Sequence, residues 1–243
     1  MNVLLLGGNS DIGWALAVRF AREDRAGVVL AGRDMDVLDK KARDLELRYG
    51  VAARAVAFDA VDTDSHGDFW ESLDPKPDGV VYLVGQLGDQ ERAQRDFAHA
   101  REIIESNYLG AVSILEIAAA DLERRETGFI IGVSSVAGER GRGSNYIYGS
   151  AKAAFTAYLS GLRNRLFSSG VHVMTVLPGF VRTKMTVGLG LSGPLLAEPE
   201  QVADDVHGAL VRKKDVVYTK WVWRFVMMVI KSIPERLFKR TNL

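Results

Sequence analysis

Apolar runs and amphipathic stretches alternate along the whole chain. Short apolar runs predict buried strands at residues 2–6, 28–31, 52–58, 128–133 and 171–177. Between them, helical patterns are predicted, including one that starts at 14–20 and one at 101–123. Strands that alternate with helices form parallel sheets with right-handed crossovers. The pattern predicts an α/β fold, a doubly wound sheet of about seven strands in a single domain over residues 1–243.

Composition removes several classes of chemistry. The 243 residues suit one α/β domain and contain no cysteine, so neither a disulfide framework nor a thiolate nucleophile is available. The four histidines are scattered without ligand-like spacing, so no metal site is expected. No nucleic-acid partner is expected. The first predicted strand starts at residue 2 without a preceding signal peptide, which makes the cytoplasm the expected location.

The N-terminus carries a glycine-rich turn between a strand and a helix. The turn reads Gly7-Gly8-Asn9-Ser10-Asp11-Ile12-Gly13. Glycines let the backbone approach a pyrophosphate, and the helix N-terminus offers free N–H groups and a positive dipole end. The pattern favours a dinucleotide-binding site over an ordinary strand-to-helix turn.

Tyr148 and Lys152 lie four residues apart and therefore share one face of a predicted helix. Ser135 lies thirteen residues upstream, at the end of an apolar run. A phenol with a pKa of about 10 is a poor base at neutral pH. A fixed ammonium group and a dry pocket could lower that pKa, while Ser135 could hold a substrate carbonyl. By itself the pair is also compatible with a surface tyrosine and lysine.

Together these motifs resemble the short-chain dehydrogenase/reductase family over almost the whole chain. The family opening, Thr-Gly-x-x-x-Gly-x-Gly, is matched at Gly7 and Gly13, whereas Leu6 replaces the threonine and Asp11 the middle glycine. A carboxylate beside a pyrophosphate is unfavourable unless it points away, so Asp11 is expected to cap the helix.

The resemblance implies a role for each matching position. The catalytic set is Asn107, which links the lysine to a water relay, with Ser135, Tyr148 and Lys152; Ser134 is structural. The cofactor set is Gly7, Asn9, Ser10, Asp11, Ile12, Gly13, Asp59, Ala60, Gly85, Tyr148, Lys152, Pro178, Gly179, Val181 and Thr183. The family's Asn-Asn-Ala-Gly reads Tyr82-Leu83-Val84-Gly85 here, so the site must be braced in another way.

The end of the second strand bears on the choice of cofactor. No acidic side chain stands at Ala31 or Gly32 to bind a ribose 2′-hydroxyl, and Arg33 could pair with a 2′-phosphate. NADP(H) is therefore preferred, and Asp34 leaves NAD(H) open.

The C-terminal tail, residues 219–243, is basic and rich in apolar side chains. From residue 218 onwards, six basic residues stand against the single acid Glu235. The apolar part is too short, and too interrupted by Arg224 and Lys231, to span a bilayer. It could lie in a membrane interface or line a greasy substrate entrance, or it could pack on the sheet or on a neighbouring subunit.

Segments 5–13, 58–66, 135–140 and 225–234 also resemble the decaprenylphosphoryl-2-keto-ribose reductases. That resemblance implies reduction of the 2-keto group of a polyprenyl-phosphate-linked pentose, a flavin oxidase partner and peripheral membrane contact. A mobile substrate lid is predicted at 184–197. The family implies a homodimer or homotetramer. Two alternatives stay open: a soluble ketoreductase acting on an acyl, sugar or steroid-like ketone, and a nucleotide-binding sensor without catalysis.

Overall fold

A computed structural model describes residues 1–187, 190 and 193–241. Seven parallel strands form one sheet in the order β3-β2-β1-β4-β5-β6-β7. They are β1 (Asn2–Leu6), β2 (Gly27–Gly32), β3 (Ala53–Ala57), β4 (Gly79–Tyr82), β5 (Phe129–Val133), β6 (His172–Pro178) and β7 (Val216–Thr219). The predicted doubly wound α/β sheet is confirmed.

The helices are α1 (Asp11–Glu23), α2 (Met35–Tyr49), α3 (His66–Glu71), α4 (Gln90–Ala93), α5 (Phe97–Ile104), α6 (Gly110–Arg125), α7 (Tyr146–Leu166), α8 (Pro199–Val211), α9 (Trp223–Ser232) and α10 (Glu235–Phe238). A π-helical turn at Glu105–Leu109 joins α5 and α6 into one continuous rod. Short 3₁₀ turns lie at Thr63–Ser65, Val136–Gly138, Phe167–Ser169 and Lys184–Thr186.

Two hydrophobic cores lie on opposite faces of the sheet. Successive residues of a strand point to opposite faces, so Leu5 joins one core while Leu4 joins the other. The first core is covered by α1, α2 and α8, and Phe20 is one of its fully buried members. The second is covered by α3, α6 and α7, with Trp70 and Phe155 fully buried. Burial on both faces explains why the strands read as continuous apolar runs.

The strand order reverses between β1 and β4, because the chain leaves β1 towards β2 and β3 and returns to place β4 on the other side. Loops at the carboxyl ends of such strands diverge and open a crevice, which is where doubly wound sheets bind ligands. The glycine-rich turn after β1 and the loop after β4 border this crevice.

The rod from Phe97 to Arg125 is long and apolar enough to cross a membrane by length and composition alone. In this fold it packs against the sheet, and Ala111, Ile114 and Leu115 are fully buried. Burial of this kind is typical of the core helix of a globular domain.

Two predicted segments differ in how far they are described. The tail forms α9 and α10 and packs on the molecule at the end of β6. The predicted lid includes residues 188, 189, 191 and 192, which lie outside the described residues. Its base is closed, since Arg182 N donates to Ala197 O at 2.9 Å and Ala197 N donates to Phe180 O at 2.9 Å. Its role as a lid stays a prediction.

Candidate active site

The glycine-rich turn has the backbone geometry of an anion-binding loop. Gly7 adopts φ +99°, a conformation that favours glycine, and a Cβ there would lie 3.1 Å from Val84 N. Ser10 is the N-cap of α1: its hydroxyl accepts from Gly13 N at 3.0 Å and donates to Gly7 O at 2.8 Å. The first turn of α1 is thereby fixed at the crevice.

Asp11 does not cap α1, which corrects the prediction made from the sequence. The cap is Ser10, while Asp11 Oδ2 accepts a 2.7 Å hydrogen bond from the backbone N–H of Lys184. The carboxylate therefore connects the glycine-rich turn to the segment that enters the predicted lid. Because the two residues are far apart in sequence, only the fold brings them together.

Lys41, on α2, binds two backbone carbonyls of the same turn. Its Nζ donates to Gly8 O at 3.2 Å and to Asn9 O at 3.1 Å, and lies 5.3 Å from the Trp14 ring centroid. Burial, and next the charge of Lys184, lower the pKa of Lys41. Asn9 Oδ1 is buried without a hydrogen-bond partner among the described residues, which leaves it available to a ligand.

Ser135 follows β5 and begins the 3₁₀ turn Val136–Gly138. Its Oγ accepts from Ala137 N at 3.1 Å, so the hydroxyl proton is directed elsewhere. The preceding Ser134 is buried and hydrogen-bonds Lys152 O at 2.9 Å and Thr156 Oγ1 at 2.7 Å. Ser134 thus joins β5 to α7, and Ser135 faces the crevice.

Tyr148 and Lys152 occupy adjacent turns of α7, as the spacing predicts. Lys152 Nζ donates to Val133 O at 3.1 Å and lies 5.8 Å from the Tyr148 ring centroid. Burial lowers the pKa of Lys152 to about 8. Burial raises the pKa of Tyr148 to about 12, and the hydrogen bond with Ser135 opposes the rise. The direction for Tyr148 is opposite to the prediction, because desolvation of the phenolate outweighs the distant ammonium group.

Asn107 sits in the middle of the π-helical turn. The widened turn frees a carbonyl, and Asn107 Nδ2 donates to Ile103 O at 2.8 Å and to Gln86 O at 2.7 Å. Its Oδ1 is buried and unpartnered among the described residues. A Cβ on Gly85 would lie 2.4 Å from that Oδ1 and 3.2 Å from Lys152 Nζ. Glycine at 85 therefore leaves room for Asn107 and Lys152 to approach each other.

The brace that replaces the missing asparagines involves Tyr82 and Asn107. The fully buried Tyr82 hydroxyl donates to Ser106 O at 3.0 Å, inside the π-helical turn. The Asn107 contact with Gln86 O ties the loop after β4 to the same turn. Two hydrogen bonds thus connect the sheet to the helix that bears Asn107.

A cavity of about 350 Å³ brings most of the predicted site together. The predicted residues that line it are Ser10, Asp11, Ile12, Gly85, Asn107, Ser135, Tyr148, Lys152, Pro178, Gly179, Val181 and Thr183. Gly7, Asn9 and Gly13 form the turn beneath it. Arg33 and Asp59–Ala60 follow β2 and β3, outside this cavity, and Asp59 Oδ1 accepts from Val61 N at 3.2 Å.

The tail packs behind the part of the cavity wall formed by Gly179 and Phe180, and none of its described residues lines the cavity itself. Trp223 is 3% exposed, meets Phe180 edge-on at 5.1 Å and lies so close to Gly179 that any Cβ there would enter its ring. Arg140 donates to Lys231 O at 3.1 Å, to Ile233 O at 3.0 Å and to Glu235 at 2.8 Å, and so receives the end of α9.

Several residues that line the cavity were not predicted from the sequence. Arg142, Asn145 and Phe180 line the cavity, and Met227 contacts Arg142. The signal that was present is the run Glu139-Arg140-Gly141-Arg142, four residues of which three are charged, directly after the catalytic serine turn.

Comparison with known families agrees with this geometry. Residues 1–191 match the model of the short chain dehydrogenase family. The chain belongs to that family. It is therefore an NAD(P)-dependent oxidoreductase. An uncharacterized oxidoreductase of Mycobacterium tuberculosis is 39% identical over 241 residues, which cover 98% of this chain and 96% of that protein.

Other similar proteins extend the picture without giving a substrate. An uncharacterized oxidoreductase of Streptomyces coelicolor is 35% identical over 244 residues, covering 98% of this chain and 95% of that one. The short-chain dehydrogenase from Sphingobium yanoikuyae, solved with NADPH, superposes with a TM-score of 0.83 and 25% identity, covering 96% of each chain.

Proposed function

We propose that this protein is an NADPH-dependent carbonyl reductase whose substrate is the 2-keto group of a polyprenyl-phosphate-linked pentose. The convergence of Ser135, Tyr148, Lys152 and Asn107 on one cavity carries the reductase part of this proposal. A tail that is docked beside the cavity and exposes apolar and basic residues supports the lipid-linked part.

The residues at the crevice fit a nicotinamide dinucleotide. The Gly7–Gly13 turn and the N-terminus of α1 would hold the pyrophosphate, and Arg33, exposed after β2, would meet a 2′-phosphate. Asp59 and Ala60 would lie near the adenine, and Gly85 beside the cofactor. Pro178, Gly179, Val181 and Thr183 would contact the nicotinamide. NADP(H), when bound, supplies the hydride.

The side chains then provide the proton and the orientation. Ser135 and Tyr148 would donate hydrogen bonds to the ketone oxygen, which fixes the carbonyl carbon towards the cofactor pocket. A phenol whose pKa is raised to about 12 stays protonated at neutral pH, and therefore suits proton donation in the direction of reduction. The carbonyl carbon gains hydride and the oxygen gains the Tyr148 proton. Lys152 and Asn107 would return a proton to the phenolate through water.

The tail favours a lipid-linked substrate over a soluble one. Trp221, Phe225, Met228, Val229 and Leu237 are large apolar side chains exposed on or beside α9 and α10. Basic residues flank them, a combination that attracts anionic lipid surfaces. We place the enzyme in the cytoplasm at the membrane surface, as a homodimer or homotetramer that receives its ketone from a flavin oxidase.

NADPH oxidation by the purified protein tests the proposal. The ketone is a prenylphosphoryl 2-keto-pentose generated in detergent by a flavin oxidase. Turnover is expected to fall by about 10²- to 10⁴-fold in Tyr148→Phe, because the proton donor is lost. Tyr146→Phe, a change on the same helix outside the catalytic set, is the matched control and should retain turnover.

The two parts of the proposal fail in different ways. A wild type that binds NADPH and ignores the keto sugar, yet reduces a soluble acyl, sugar or steroid-like ketone, would contradict the lipid-linked part. A wild type inert towards every ketone would contradict the reductase. Sedimentation with vesicles of anionic and of neutral lipid tests the tail, since only the anionic vesicles should retain the protein at low salt.

A further inference from the structure

Arg142 is a cation in the wall of the cavity, within the segment that connects the serine turn to α7. Its one polar side-chain contact among the described residues runs from Nη2 to Met227 Sδ at 3.5 Å. Its Nε is buried and has no partner there. A half-buried guanidinium that lacks a carboxylate is costly, and burial lowers the pKa of Arg142 accordingly.

Neither Glu139 nor Asp11 forms an ion pair with Arg142 among the described residues. Glu139 Oε1 receives Tyr218 OH at 2.9 Å and Lys231 Nζ at 2.7 Å, and its Oε2 is buried without a partner there. Asp11 is the one carboxylate among the described lining residues, and it accepts from the Lys184 backbone. The negative charge that would balance Arg142 is therefore not supplied by the described protein.

A second polar group lies in the same wall. Asn145 lines the cavity three residues after Arg142 and three before Tyr148. Its Oδ1 is buried without a partner among the described residues, so the amide is not tied to the fold through that atom. A guanidinium fork can donate two hydrogen bonds to a tetrahedral oxyanion, whereas the unpartnered Oδ1 of Asn145, an acceptor, suits a hydroxyl of the same ligand.

We propose that Arg142 binds the phosphate of a substrate that carries a phosphate ester next to its ketone, with Asn145 Oδ1 accepting from a neighbouring hydroxyl of that substrate. This inference rests on the proposed reductase function. Arg142 lines the same cavity as Tyr148, and its Nη2 contacts Met227 of the tail helix. A prenyl-phosphate-linked 2-keto sugar carries its phosphodiester between its ketone and its hydrocarbon, so a phosphate held at Arg142 would leave the ketone for Tyr148 and the hydrocarbon for the tail helix. Arg142 would thus set the register of the substrate, with the hydrocarbon running out along α9.

Binding to the enzyme saturated with NADP⁺, measured by calorimetry, tests this assignment without turnover. The probes are geranyl phosphate and the neutral geraniol. Arg142→Gln should lower the affinity for geranyl phosphate by about 10- to 100-fold, the loss expected when charge-assisted hydrogen bonds are removed. The affinity for geraniol should not change. Arg142→Lys should give an intermediate affinity because it keeps the charge and loses the planar fork. Arg43→Gln, on the exposed side of α2, removes one charge elsewhere and should match the wild type.

Two further comparisons distinguish a lipid phosphate from a soluble one, and the phosphate site from the proposed reduction. Geranyl phosphate that binds more tightly than methyl phosphate indicates a lipid source, whereas equal affinity indicates a soluble phosphate ester. If Arg142→Gln binds geranyl phosphate with the same affinity as the wild type, Arg142 does not bind the phosphate, whichever ketone the enzyme reduces. A wild type that binds geranyl phosphate through Arg142 but reduces no keto sugar leaves this site standing and refutes the proposed reaction instead.

Reduction of dihydroxyacetone phosphate and of dihydroxyacetone gives the readout that a merely structural role would not produce. These two ketones differ by a phosphate bonded through oxygen to the carbon next to the carbonyl. Arg142→Gln should raise KM for the phosphorylated ketone alone and leave kcat for both almost unchanged. An equal loss on both ketones would show that Arg142 only supports the fold.

Discussion

The two walls of the cavity are held by different parts of the molecule. Ser135, Tyr148 and Lys152 are fastened to the sheet, since Lys152 bonds Val133 O and Ser134 joins β5 to α7. The other wall, at Gly179 and Phe180, is backed by Trp223, which forms a small separate cluster with Met227 on the end of β6. A rigid wall suits chemistry that needs fixed geometry, and an added wall can change its substrate without disturbing that chemistry.

The same contrast appears in the hydrogen bonds that connect the walls. Arg140 and Glu139 directly follow the serine turn, and their partners in the tail lie 92 to 95 residues away for Lys231, Ile233 and Glu235. The serine turn is therefore the point where the wall that carries Ser135 and Tyr148 meets the residues that hold the tail. Changes on either side of it should separate into effects on catalysis and effects on the ketone.

After the loss of the Tyr148 proton donor, the largest effect should come from the rigid wall, at Gly85. In Gly85→Ala the new Cβ would press on Asn107 Oδ1 and Lys152 Nζ, and a displacement of catalytic groups by about 1 Å can cost about 100-fold in rate. We expect turnover to fall by that order while NADPH still binds. Gly67→Ala is the control, because among the described residues nothing beyond its chain neighbours and its own helix backbone lies within 4 Å of the new Cβ. Full activity in Gly85→Ala would show that the close approach is not needed.

Substitution of two tryptophans of the tail, one buried and one exposed, tests how the tail supports the second wall. Trp223→Ala removes a side chain that is 3% exposed, and such truncations typically cost about 3 to 5 kcal/mol. Because the cluster is local, we expect undocking of the tail, seen as faster trypsin cleavage at Arg224 and Lys231, and at least about a tenfold lower kcat/KM for the ketone.

Trp221→Ala is the matched variant, since Trp221 is 72% exposed. It should leave cleavage and kcat/KM unchanged and weaken retention on anionic vesicles, because an exposed indole contributes to interfacial binding. Equal cleavage of Trp223→Ala and the wild type would mean that the tail is held by something other than this cluster.

The pH dependence should report Lys152 rather than Tyr148. Lys152 is cationic below its pKa of about 8 and neutral above it, so kcat/KM for reduction should fall about tenfold per unit above that pH if the cation is required. Tyr148, with its pKa raised to about 12, stays protonated throughout this range. In Lys152→Met the profile should be low and flat. If kcat/KM still falls above that pH in Lys152→Met, the fall reports the titration of another group.

The sequence predicted the rigid wall far better than the added one. Uninterrupted apolar runs located five strands to within one residue at each end, and the Tyr148–Lys152 spacing correctly placed both side chains on one helix, because both signals are local. The π-helical turn around Asn107 has no such signal, since it depends on a shift of backbone hydrogen bonds. Arg142 could not be assigned either, because its neighbour Met227 is 85 residues away.

The smallest effect should come from Asp11, which connects the nucleotide turn to the lid base. Asp11→Asn keeps an oxygen that can accept from Lys184 N and removes one negative charge beside the phosphate-binding turn. With that charge gone, Lys41 and Lys184 act on the cofactor phosphates unopposed, and NADPH affinity should rise about two- to fivefold at low salt.

Asp11→Ala separates the charge from the hydrogen bond. It should share the tighter NADPH binding, and in addition raise KM for the ketone, because the segment entering the predicted lid loses its attachment to α1. If both variants raise KM equally, the charge and not the hydrogen bond positions this segment. If neither variant changes NADPH affinity even at low salt, the Asp11 carboxylate lies too far from the cofactor phosphates to affect their binding. Its role is then only the hydrogen bond that attaches the Lys184 segment to the turn.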